Sequence, residues 1–168
     1  MIENYQPTMV ACLSLWQPYA SWLVGQHLPK QRYSKTEMPI KDIENRTWWT
    51  NYRGPLVIHA ARRVDVVVFE KYEVSKEMRS KYKCGAFLGV VDLVDCIKDT
   101  GFHPAPWNYS PWGMSDQFHW LTKDVVIFNE PISAKGQQRI FRVPLSTFRI
   151  DGAPVINEAR LCSDLNET

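Results

Sequence analysis

Apolar and polar positions change period several times along the chain, and each change predicts an element. Val10 to Leu15 reads as a first strand. Gln17 to Val24 reads as a short helix, with proline in its first turn and Tyr19, Trp22 and Leu23 on one face. A polar loop from Gln26 to Pro39 leads to an extended run, Lys41–Trp48, and Gly54-Pro55 marks a turn before an apolar strand from Leu56 to Ala60. Asp65 suits the cap of a helix running through Val67, Val68 and Tyr72 to about Lys81. Residues 86–97 are apolar at both parities, which predicts a strand covered on both faces. Asp92 breaks that pattern and calls for a partner, such as Arg46 or a row of backbone amides, unless a bulge brings it to water. A Pro- and Trp-rich connection over 100–117 precedes a strand pair, Gln117–Thr122 and Val125–Phe128, and a last alternating strand, Gln137–Val143. From Asp151 the chain is polar and reads as peripheral.

The run from Lys41 to Trp48 gathers Lys, Glu, Arg and Trp within one short extended segment. Carboxylate and guanidinium groups can read the donor and acceptor edges of a planar ligand such as a nucleobase, and an indole can stack on its face. An edge strand with an ordinary Glu44–Arg46 ion pair would show the same residues. On a regular strand Glu44 and Arg46 share a face, whereas Lys41 and Glu44 point to opposite ones. An amidase chemistry through Lys41 would need that amine desolvated or beside a base; otherwise Lys41 reads as a phosphate-contacting cation.

Charge adds a direction. The net charge is +2, but residues 30–83 carry 13 Lys and Arg against 7 Asp and Glu, so the basic excess is concentrated there and points to an anionic partner. The 168 residues suffice for one domain with its own core. Four scattered cysteines, Cys12, Cys84, Cys96 and Cys162, lack the close spacing of a zinc site, and neither metal nor cofactor is expected. Cys12 and Cys96 sit in apolar strand patterns and read as small core residues. With no signal-like start and no apolar stretch of membrane-spanning length, a reducing, cytoplasmic setting without membrane contact is the expectation. His59, His103 and His119 each stand alone, and no nucleophile elbow or phosphate-cradling glycine loop occurs.

Taken in order, Leu13-Ser14-Leu15-Trp16-Gln17-Pro18-Tyr19-Ala20, Ile43-Glu44-Asn45-Arg46-Thr47-Trp48, Tyr52–Ala60, Gly85–Cys96, His119-Trp120 and Lys135-Gly136-Gln137-Gln138 resemble the ASCH domain family, which is related to the PUA-like β-barrels. The resemblance implies an α+β fold, a small mixed β-barrel with flanking helices, over residues 10–148, preceded by an extension over 1–9 and followed by a tail over 149–168. It also implies a cleft where the Glu44/Arg46 strand meets the Leu13–Pro18 segment, binding nucleic acid or a nucleotide-like ligand, with RNA favoured over DNA. Ser14, Trp16, Gln17, Lys41, Glu44, Arg46, Trp48, Arg53 and His59 are then the candidate ligand contacts, with Trp49 a further stacking candidate. Arg62 and Arg63, at the entry to the Asp65 helix, join Lys41 and Arg53 as phosphate contacts. Some bacterial members hydrolyse N4-acetylcytidine with a lysine, a threonine and a glutamate. Lys41 falls at that lysine, but Glu44 stands where the threonine would be, so catalysis by Lys41 and Glu44, as an amidase or a ribonuclease, is the second reading. A third is a protein-interaction module docking through Trp107 and Trp112.

Overall fold

The computed structural model describes residues 6–162. Six strands form one mixed sheet: β1 (Met9–Gln17), β2 (Ile43–Arg46), β3 (Gly54–Val64), β4 (Ala86–Lys98), β5 (Phe118–Ser133) and β6 (Ile140–Pro144), in the order β2-β5-β4-β3-β1-β6. β1 and β3 run parallel, with Ser14 opposite His59, and every other neighbouring pair is antiparallel. The protein is thus mostly β with short helices. The hydrogen-bonded order ends on β2 and β6, which do not pair, so the closed barrel that the resemblance implies is not formed by backbone hydrogen bonds.

Alternation divides the core. Leu13 and Leu15 of β1, Leu56 and Ile58 of β3, and Leu88 of β4 pack on one face with Leu23 and Trp120. Val10, Cys12, Val57, Phe87 and Val90 turn to the other face and meet Phe141, Phe148, Val155 and Leu161. Both faces of β4 are therefore covered, as its two-parity apolar run predicts. The cover on the second face comes partly from the segment expected to be peripheral: Val155, Leu161 and Cys162 are buried there. Asp92 finds its counter-charge in the same segment, 2.6 Å from Arg160 rather than at Arg46, beside an irregularity in the β4–β5 ladder.

Local signals explain the other departures. The expected long helix is two short ones, α2 (Val66–Lys71), capped by Asp65, and α3 (Lys76–Arg79), capped by Ser75. The Ser75 hydroxyl accepts from the Met78 amide and so starts a new helix, while Glu73 adopts a left-handed backbone between the two. β5 is one strand of 16 residues instead of a pair. The polar Lys123-Asp124 step is accommodated as ladder irregularity with Asp124 at φ 51°, and not as a turn. The helix α1 (Tyr19–Leu23) follows β1 closely and is buried along Ala20–Leu23.

Trp107 and Trp112, each 6% exposed, point inward and join Trp22, Ile43, Phe69, Tyr82 and Leu121 in a third cluster. Their indole N–H groups donate to the Thr122 and Pro39 carbonyls. The docking role read for these rings is therefore overturned: they close one end of the core. His119 holds the same connection through the Met114 carbonyl and accepts at Nδ1 from His103 Nε2 at 2.6 Å. No helix among the described residues is long and apolar enough to cross a membrane.

Candidate functional site

A cleft of about 910 Å³ opens where the two edges of the sheet approach one another. β1 contributes Ser14, Leu15 and Trp16; β2 contributes Glu44, Asn45 and Arg46; β3 contributes His59 and Arg62; the loop before β6 contributes residues 134–139. Arg139, just before β6, reaches over the ring of Trp48, just after β2, at 5.3 Å. The edges therefore meet through side chains rather than through a ladder.

At one wall Lys41 and Glu44 form a buried pair, Nζ to Oε2 2.6 Å, with only 2% and 6% of each residue exposed. Strand parity predicts opposite faces for these two side chains. β2, however, begins only at Ile43, so Lys41 lies before the regular strand and its amine folds back, donating to Glu44 and to the Ile43 carbonyl. Arg46 stands 3.6 Å from the other oxygen of Glu44, sharing its face as strand geometry requires. Tyr19 adds its ring 5.9 Å from the Lys41 ammonium. A paired amine this deep is not a solvated phosphate contact, which corrects that reading of Lys41.

The opposite wall is a second polar unit. The Ala134 carbonyl can only accept, so the His59 Nε2 that lies 2.8 Å from it carries the ring proton. Nδ1 is left as an acceptor for the Ser14 hydroxyl at 2.9 Å. Burial holds the His59 imidazole below its usual pKa, with the Ala134 carbonyl acting in the opposite sense, so the ring is neutral near pH 7. Gly136 rests against this pair. A Cβ there would overlap the Ser14 hydroxyl and lie 2.6 Å from His59 Nδ1, so the close approach of the loop requires glycine.

Charge in the cleft is strongly one-sided: Lys41, Arg46, Arg62, Lys135 and Arg139 face a single carboxylate, Glu44, which Lys41 already neutralises. Trp16 at the rim is 44% exposed and carries the Arg63 guanidinium 4.6 Å from its ring. Trp48 is more enclosed, with Trp120 edge-on at 4.6 Å and the Arg46 and Arg139 guanidinium groups at 5.5 and 5.3 Å.

Of the sequence-predicted contacts, Ser14, Trp16, Lys41, Glu44, Arg46, Trp48 and His59 line the cleft, and Arg62 lines it as well. Gln17 does not: it is fully buried, accepting from the Ser21 amide and donating to the Lys83 carbonyl. Arg53 also lies elsewhere, paired with Asp95 at 2.9 Å and bonded to the Thr50 and Tyr52 carbonyls. Trp49 is exposed outside the lining. Arg62 and Arg63 lie at the end of the strand β3, just before the Asp65 cap of α2. Tyr19, Asn45, Lys135 and Arg139 are lining residues that the reading by pattern missed. The Lys135–Gln138 motif was the one available signal for the loop. Asn45 also braces the 99–117 connection, donating to the Trp112 carbonyl and accepting from the Met114 amide.

No family model matches the chain. It is similar to Activating signal cointegrator 1 of Mus musculus, 35% identical over 100 residues that cover 54% of this chain and 15% of that protein. The Homo sapiens protein of the same name is 34% identical over 100 residues, with the same coverage. The similarity is distant and partial, and the match spans only 15% of the length of these curated relatives.

Proposed function

We propose that this chain is an ASCH-like module that holds a base of single-stranded nucleic acid, RNA in the first instance, in the cleft between β1 and β2. The carrying observation is the pairing of an exposed Trp16 at the rim with a buried Glu44 held in place by Lys41, inside a lining that is otherwise cationic. The indole offers a stacking platform, worth ~1–3 kcal/mol per base in such proteins. Glu44, orientated by Lys41, accepts hydrogen bonds from an amino or imino edge. Arg62 and Lys135, exposed and without ion-pair partners among the described residues, meet the backbone phosphates. The order of the ASCH-like motifs and the partial similarity to Activating signal cointegrator 1 support the same reading.

Binding titrations of a ribonucleoside panel and of single-stranded RNA and DNA test it. Affinity for RNA should fall as salt rises, because phosphate neutralisation releases counterions. A flat salt response together with no nucleoside binding would sink the proposal.

The contact between Lys41 and Glu44 favours a second reading as a nucleoside amide hydrolase, since it joins an amine and a carboxylate at the cleft wall. Turnover of N4-acetylcytidine that disappears in Lys41→Arg would promote it. Absence of turnover alongside base binding would leave the binding module.

A further inference from the structure

Within the cleft, Arg46 and Arg139 both lie against the ring of Trp48, at 5.5 and 5.3 Å. Two guanidinium groups on one indole repel one another, and only Arg46 has a carboxylate near it, Glu44 at 3.6 Å. Arg139 makes no ion pair or hydrogen bond among the described residues, although its loop is tightly positioned. The loop is tied by the Ala134 carbonyl to His59 and by the packing of Gly136 on Ser14. Arg139 itself adopts φ 60°, a left-handed backbone that is uncommon for a non-glycine residue. An unpaired arginine held in this way beside a second one is a charge-assisted donor pair awaiting an anion.

From this we infer that Arg139 and Arg46, braced on Trp48, form a subsite for the phosphate of the bound nucleotide. The inference rests on the base-binding reading and divides the labour of the cleft. Trp48 carries two guanidinium groups with Trp120 edge-on and is half-buried, whereas Trp16 carries Arg63 alone and is 44% exposed, so stacking falls to Trp16, while the Trp48 end takes the anionic oxygens. The planar forks of the two arginines suit bidentate contact with phosphate, which a lysine at the same position does not reproduce.

Calorimetric titration of wild type, Arg139→Ala and Arg139→Lys tests this with four probes: a ribonucleoside, its 5′-monophosphate, a 5′-hydroxyl oligoribonucleotide and inorganic phosphate. The wild type should bind a phosphate-bearing nucleotide at least about tenfold more tightly than the nucleoside, as one charge-assisted contact provides. Arg139→Ala should erase that gain and leave nucleoside affinity and the melting temperature unchanged, and Arg139→Lys should restore only part of it. A gain with the monophosphate identifies a terminal phosphate as the source, and a gain confined to the oligonucleotide identifies an internal phosphodiester. Equal wild-type affinity for nucleoside and both nucleotides overturns the subsite, as does an equal loss for all of them in Arg139→Ala. If the nucleoside fails to bind but inorganic phosphate binds through Arg139, the base reading falls and the subsite stands. If neither binds, both fall.

Discussion

Two tryptophan-rich regions, the 99–117 connection and the cleft, look alike in sequence and do opposite things in the fold. Trp107 and Trp112 are surrounded by aromatic rings and aliphatic side chains, and each indole N–H is satisfied by a backbone carbonyl. Trp16 and Trp48 instead stand beside arginines, and Trp16 keeps much of its surface in solvent. A tryptophan whose edge is bonded and whose faces are packed contributes burial, whereas one with an open face beside a cation is available to a ligand. Neighbours distant in sequence determine which case applies.

The sharpest way to break this contrast is to truncate one ring from each region. Trp112→Ala should cost about 3–5 kcal/mol of stability, the usual price of a large buried side chain, seen as a lowered denaturation midpoint. Trp16→Ala should instead leave stability within about 0.5 kcal/mol and remove roughly 1–3 kcal/mol of base binding. Comparable losses of stability in both variants would erase the distinction.

Between these extremes lies Glu44→Gln, which leaves the buried Lys41 ammonium without its counter-charge. It should cost about 3 kcal/mol by denaturant titration and weaken binding at the same time. A stable variant that loses only binding would mean that Lys41 finds another partner and that Glu44 serves the ligand alone.

The smallest effect sharpens the comparison between the His59 wall and its counterpart. Burial is the leading cause that holds His27, His59 and His103 below the ordinary histidine pKa of 6.5. The unfolded chain therefore binds more protons than the native one as the solution is acidified. Stability from this source is present above 6.5 and is lost as pH falls below it. The melting temperature should decline from about pH 7 to about pH 5, and His59→Gln should flatten that decline. An unchanged pH profile in that variant would show that His59 carries none of it.

The elements themselves were legible in sequence wherever period and local caps act alone. Alternation along Val10–Leu15 and Leu56–Ala60, the two-parity run of 86–97 and the Asp65 cap all describe interactions within a few residues or with a sheet face of fixed pitch. The site was partly legible, because Ser14, Trp16, Glu44, Arg46 and His59 belong to motifs that stand out by residue type.

What only the tertiary structure decided are pairings across long stretches of chain. Asp92 meets Arg160 and not Arg46; Arg139 reaches Trp48; Gln17 turns into the core; and the 151–162 segment covers a sheet face. Lys41 meets Glu44 because the strand starts two residues later than a regular pattern implies, and parity holds only inside a strand. Sequence period specifies which way a side chain points relative to its own element. Which charge, ring or carbonyl waits there depends on how distant elements pack, since ion pairs and stacked rings act over a few ångströms of space irrespective of separation along the chain.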